Sequence, residues 1–397
     1  MGEGLNQQRD WLILINAPSL GGAKLINAIE TFGDASALAN ASARDLQHHG
    51  LKEATIKAIT RPDEHAIEYA QQWLAHPQHH LLCWDNEDYP ILLRRITGPP
   101  AALFVDGDPG CLWQPQIAVI GSRNPTTGGL DHARDFATTL ARMGMTITSG
   151  LASGIDTAAH RAALDAGAQT IAVNGTGLDT IYPASSRATG ERIPAQGAMV
   201  SELPLGSKAL PQHFPSRNRI ISGLSLAVLV IEAGLNSGTL ITARKAAEQG
   251  RDVFALPGSL NNPMAKGCHR LIREGARLVE TASDIVQELG PVAADLKMAI
   301  QQRLELPDEE AHRSSKLRGV QQSAAEDEQH DQAQSAASLL DDLDYSAVWE
   351  ALSFDPKPVD SIIEKSGLSA REVSSMLLMM ELKGMVKKSA DGRFCRA

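Results

Sequence analysis

Between residues 115 and 290 the chain repeats one pattern, a short apolar run followed by a longer stretch with helical spacing. The runs are Ile117–Ile120, Thr146–Thr148, Thr170–Val173, Ala198–Ser201, Ala227–Ile231 and Val253–Ala255. Stretches such as Gly129–Met143 and Asp156–Ala166 lie between them and return apolar residues every three or four positions. Short apolar runs bounded by glycine are strands buried on both faces. Such strands align in parallel only when a helix carries the chain back between them. The pattern therefore requires a doubly wound α/β domain with a mostly parallel sheet, over residues 111–290.

The flanks read differently. Residues 1–110 show weak strand signals, but Ala23–Glu30 and Ala54–Ile59 have helical spacing, and Gly21, Gly22 and Gly33 punctuate them as turns. A small helical domain is expected there. Residues 291–340 are rich in Glu, Asp, Gln, Ser and Ala and are expected to form a flexible linker. Within 341–397, Tyr345–Leu352, Val359–Glu364 and Ala370–Leu382 read as three helices, and β-prone pieces flank Ala390-Asp-Gly392. Three helices and a hairpin make a winged helix-turn-helix.

A chain of 397 residues with a formal net charge of −10 is not globally basic, so any nucleic-acid surface is a local patch. The four cysteines lie far apart without a Cys-x-x-Cys, so neither a zinc knuckle nor a disulfide framework is suggested, and a reducing interior is expected. His, Cys and carboxylates do not cluster at metal-ligand spacings. The N-terminus lacks the apolar core of a signal peptide, and no apolar run is long enough to span a bilayer. A cytoplasmic protein is expected.

In doubly wound sheets ligands bind outside the carboxyl ends of the strands, so those loops carry the functional information. The first is Gly121-Ser122-Arg123, in which glycine allows close approach, Ser122 offers a donor and Arg123 a paired contact to phosphate. It lacks the Gly-x-Gly-x-x-Gly of dinucleotide sites. The second, Ser149-Gly150 through Asp156, follows a strand and opens a helix, with Asp156 or Ser153 as its cap and His160 a packing or surface residue. The third runs from Gly175 and Gly177 through Tyr182-Pro183 to Arg187, which a fold-back would set near Arg123. The fourth places Phe214 beside Arg217, Asn218 and Arg219, the mix that base stacking with phosphate contact requires. The fifth, Ser237-Gly238-Thr239 after Glu232, is another helix start with free N–H groups. For one such cluster, core packing and ordinary ion pairs would be the stronger reading; the recurrence of the same chemistry at successive strand ends favours an anion.

These motifs occur in a specific order. Ile120-Gly-Ser-Arg123, Ser149–Asp156, Gly177–Pro183, Phe214–Gly223, Glu232 with Ser237–Ala243, and Gly250–Gly258 together resemble the DNA-processing DprA family, also called Smf. The resemblance covers about residues 115–285 and implies an extended Rossmann-like domain, flanked by a sterile-alpha-motif-like helical domain and a winged helix. It implies a protein that is not an enzyme, binds single-stranded DNA without a cofactor, protects incoming strands in natural transformation and loads RecA recombinase onto them. It also implies a homodimer formed through the Rossmann domain. The family's phosphate-binding arginine maps to Arg123, and a basic position after the Tyr-Pro turn maps to Arg187. Asn174 departs from the pattern, standing where an apolar residue is more usual. On this reading Arg123 and Arg187 clamp the strand while Arg217 and Arg219 line its path.

Two rivals carry less. Nucleotide phosphoribohydrolases have related folds, with Glu232 as the candidate carboxylate, but their Pro-Gly-Gly-x-Gly-Thr loop is absent and no second acid/base partner is visible. A duplex-DNA regulator would place Ala370–Leu382 in the major groove, yet that segment is dominated by Met, Leu and Glu. Ser19–Lys24 vaguely resembles a helix-hairpin-helix turn, for which a plain structural turn is at least as good a reading.

Overall fold

The computed structural model describes residues 2–289 and, further on, 348–349, 352, 356–382, 386–389 and 393–396. Two units divide at Arg303 and Leu304. The expected linker and most of the first winged-helix segment, Tyr345–Leu352, lie outside the described residues.

Nine strands form the sheet of the first unit. They are β1 (His79–Cys83), β2 (Ala102–Gly107), β3 (Gln116–Ile120), β4 (Thr146–Ser149), β5 (Thr170–Val173), β6 (Ala198–Ser201), β7 (Ala227–Val230), β8 (Asp252–Ala255) and β9 (Arg277–Leu278). Their order is β1-β2-β6-β5-β4-β3-β7-β8-β9. From β6 to β9 every pairing is parallel, while β1–β2 and β2–β6 are antiparallel. Strands β3 to β7 are buried along their whole length, as continuous apolar runs require. The chain winds outward from β3 through β4 to β6, then returns to β7 on the other side of β3. The topological switch point therefore lies between β3 and β7.

Both faces are covered. On one, Ile220, Ile221 and Leu224 of the helix His213–Leu224 pack with Leu240 and Ala243 of Gly238–Glu248 and with Leu271 of Lys266–Arg273. On the other, the helices Thr127–Arg142 and Ile155–Asp165 lie against β3 and β4 through Phe136, Leu140, Ala159 and Ala163.

The N-terminal segment departs from expectation. Its helices, from Gly2–Asn16 to Glu64–Leu74, are amphipathic and capped by Asp34, Ser42 and Asp63. Yet β1 and β2 follow within the span read as helical, so residue 110 is not where sheet territory begins. Trp11, Leu12, Leu25 and Ile67 share one core with Phe104, Ala172 and Met199 of the sheet. The helical segment is a layer on the sheet rather than a body with a core of its own.

In the second unit the helices Val359–Ser366 and Ala370–Leu382 precede two antiparallel strands, Val386–Lys388 and Phe394–Arg396. Val348, Ile362, Val373, Leu377 and Phe394 form its core. This is the winged-helix arrangement; the turn at 390–392 lies outside the described residues.

Candidate nucleic-acid interface

At the switch point the crevice between β3 and β7 is filled from within. Glu232 follows β7 and is 5% exposed. Its carboxylate accepts from the Thr126 N–H at 2.9 Å, the Thr126 hydroxyl at 2.6 Å and the Asn262 amide at 3.2 Å. Thr126 caps the helix Thr127–Arg142. A protein carboxylate thus occupies the helix N-terminus where a bound phosphate would otherwise sit. Beside it the Thr239 hydroxyl donates to the Gly121 carbonyl, and Ser237 accepts from the Thr239 N–H. Of the loop Ser237-Gly238-Thr239, only Gly238 stands open. Ser122 is buried, donates to the Met264 sulfur and accepts from the Asn124 N–H.

One step along the edge, the ends of β4 and β5 are tied to the helix His213–Leu224 by Arg217. Its guanidinium donates to the carbonyls of Gly150, at 2.7 Å, and Val173. Asp156 accepts from the Gly150 and Ala152 N–H groups at 3.2 and 3.4 Å. Burial pushes the Asp156 carboxyl up, against the pull of the Arg217 charge and the two N–H groups. Burial brings Arg217 down to about 10, opposed by Asp156. His160 lies beneath, bonded through Nδ1 to the Thr170 hydroxyl at 2.7 Å; burial, then the Arg217 charge, hold it down to about 3.

These contacts correct several expectations. Arg217 does not line a strand's path: it is 5% exposed, and its Nη1 donates to two backbone carbonyls, while its buried Nε meets no partner among the described residues. Arg219 meets Glu202 through two bonds, at 2.6 and 3.1 Å, with little of its side chain exposed. Ser149 is buried and donates to the Val119 carbonyl, and the Gly150 N–H is held by Asp156. Asp156 does not cap its helix; the N-cap is Gly154. That position has φ +82°, and a Cβ there would stand 2.4 Å from the Ser122 carbonyl oxygen, so only glycine fits. Buried Asn174 meets no partner for either amide atom among the described residues.

Above this framework lies an open cluster. Arg123 is exposed, with its guanidinium carbon 5.8 Å from the Phe214 ring centroid. The Phe214 ring rests on Gly175, where a Cβ would come within 2.9 Å of it. Tyr182, 48% exposed, sets its own ring 5.5 Å from that of Phe214 at a 41° tilt. From sequence Tyr182 stands only as part of the Tyr182-Pro183 step of its loop; the signal for it is an aromatic beside proline at a strand end. Arg187 ends the same loop and opens the short helix Arg187–Gly190, its side chain 73% exposed and paired with Glu191. That loop touches the second one through Ser185 and Ser153, whose hydroxyls are 3.2 Å apart. Asn218 is half-buried, and Gly177 packs under Asp179 and Pro204.

Comparison with known proteins agrees with this architecture. The family described as DNA recombination-mediator protein A matches residues 80–290, and the DprA winged helix domain matches residues 330–392. The chain belongs to the DprA/Smf family. Protein Smf of Escherichia coli is 39% identical over 383 residues, covering 96% of this chain and 94% of that protein. DNA processing protein DprA of Streptococcus pneumoniae is 46% identical over 203 residues, covering 51% of this chain and 72% of that protein. The X-ray structure of DprA from Streptococcus pneumoniae superposes with a TM-score of 0.64 at 34% identity, covering 70% of this chain and 97% of that one. The DprA/Smf match begins at residue 80, within β1, and so includes the two strands that the sequence reading assigned to the helical segment. Among the described residues no helix is long and apolar enough to cross a membrane.

Proposed function

We propose that this DprA/Smf protein grips single-stranded DNA at the ends of β3 to β5 and delivers it to RecA recombinase, protecting incoming strands in natural transformation. The observation that carries the proposal is the open cluster of Arg123, Phe214 and Tyr182. A cation above one aromatic ring that itself lies beside a second suits a phosphate next to a splayed base. Stacking of this kind accepts any base and has no counterpart on a duplex, whose bases are already stacked. Arg187 and the open backbone at Gly238 extend the anion-facing edge. Delivery to a recombinase accords with the matched family's description as a recombination mediator. The protein acts as a binder, not an enzyme and without a cofactor: Glu232, the one carboxylate at the switch point with a claim to chemistry, is held by Thr126 and Asn262. We place it in the cytoplasm as a homodimer paired through the Rossmann-like domain.

The test is fluorescence anisotropy with labelled single-stranded DNA and matched duplex across a salt series, for the wild type and Arg123→Ala. Expected are a single-strand preference, a fall in affinity with salt, and a slope shallower by about 0.7 in the variant. Equal affinity for the duplex, or an unchanged slope in the variant, overturns the proposal.

A further inference from the structure

A second basic feature borders the open cluster. The helices Thr127–Arg142 and Ile155–Asp165 leave between them a trough of about 600 Å³. Three arginines line it: Arg134 and Arg142 from the first helix, Arg161 from the second. Arg134 and Arg142 are eight residues apart, and so lie on one face about 12 Å from each other. Arg142 is exposed and makes no ion pair among the described residues. Arg161 is steered by a bond from Nε to the Thr189 hydroxyl, which leaves the rest of its guanidinium donors over. Arg134 pairs with Asp131, and Asp165, the one carboxylate lining the trough among the described residues, is paired with Arg192.

The trough begins at the open cluster. Its upper end is formed by Ser153, Gly154 and Ser185, and Gly154 packs directly on the backbone of Ser122 and Arg123. A strand leaving Arg123 therefore meets two hydroxyls at a saddle and then a row of guanidinium groups, in a chain whose net charge is −10. Among the described residues the walls below the saddle carry no aromatic side chain.

We infer that this trough is a second DNA subsite, which takes the sugar-phosphate backbone of the same strand beyond the Arg123–Phe214–Tyr182 cluster. The inference rests on that cluster being where single-stranded DNA is held. Without an aromatic platform the subsite reads phosphate alone, and it adds affinity only for strands long enough to reach it.

The experiment compares oligothymidylates of about six and about twenty nucleotides on the full-length protein, wild type and Arg134→Ala/Arg142→Ala/Arg161→Ala. The three arginines are exposed, so the variant keeps its fold; the single reversal Arg142→Glu, which breaks no ion pair, serves as a second probe. Expected for the triple variant are an unchanged affinity for the short oligomer, a loss of about tenfold or more for the long one, and a salt slope for the long oligomer shallower by about 2. Equal losses for both lengths, or none for the long one, overturn the trough and leave the cluster standing. A wild type that fails to bind the short oligomer overturns the cluster, and the trough as its continuation. A triple variant that binds both lengths normally but changes its mass by light scattering assigns the trough to a second copy of the chain, and also overturns it.

Discussion

Two positions on the same sheet edge are built from the same residue types and end in opposite states. Between β3 and β7 the helix N-terminus, hydroxyls and glycines converge on a carboxylate of the protein itself, Glu232. Beside β4 and β5 an equally polar set converges on Arg217 and Asp156 below, leaving Arg123 and Tyr182 open above around a half-buried Phe214. Strand-end position therefore does not by itself make a residue a ligand contact. What distinguishes the two places is whether the charges find partners inside the protein.

The sharpest way to break this contrast is Arg217→Ala. If Arg217 is structural, its loss leaves Asp156 buried beside two unpaired carbonyls, and stability falls by about 3–5 kcal/mol, measured by urea unfolding. A variant of normal stability with weakened DNA binding would return Arg217 to the path of the strand. Next in size, Glu232→Ala removes a charged acceptor from Thr126 and is expected to cost about 1.5–3 kcal/mol while single-strand affinity stays near wild type. Weakened binding at unchanged stability would make the filled crevice a site after all.

The buried layer also has a pH signature. His160 is held down to about 3 in the fold, against about 6.5 in an unfolded chain. Between those values only the unfolded state takes up the proton, so this contribution is complete above about pH 6.5. It is lost as pH falls, with a slope approaching 1.4 kcal/mol per pH unit. Unfolding titrations of wild type and His160→Gln should differ in slope between about pH 6.5 and 4; parallel curves would mean that His160 is not buried as described. The smallest effect is expected at Arg187. Its pair with Glu191 is exposed, so Arg187→Ala should change stability by less than about 0.5 kcal/mol, and any loss of DNA affinity in that variant measures phosphate contact directly.

Strands β3 and β5 to β7 are legible because burial on both faces demands apolar runs, whereas β4 (Thr-Ile-Thr-Ser) and β8, which opens with half-buried Asp252 and Val253, are legible from their place between helical stretches. Strand β2 carries the same apolar signal in Ala102–Val105, but the helical spacing of the segments before it masks it. Strand β1 opens with His79 and His80, which conceal it; the fold explains His79 by stacking it on Trp73 at 3.7 Å. At the candidate site, residue type singles out Arg123 and Phe214 together with Arg217 and Arg219, and cannot separate open arginines from closed ones. Helix phase could have done so: Arg217, Ile220, Ile221 and Leu224 fall at i, i+3, i+4 and i+7, one buried stripe, with Arg219 outside it. The partners that hold these arginines, Glu202 and the Gly150 and Val173 carbonyls, come from distant segments and have no local signature.

The layer of N-terminal helices and the antiparallel pair β1–β2 govern how this protein can be cut. A fragment starting near residue 111 would strip β2 from β6, leaving Val200 and its neighbours as a raw hydrogen-bonding edge, and would uncover Met199 and Ala172 on the adjoining face. Bare edges of that kind recruit other chains. A shortened version should precipitate rather than behave as a tidy minimal domain, and its failure to bind DNA would say nothing about the residues removed.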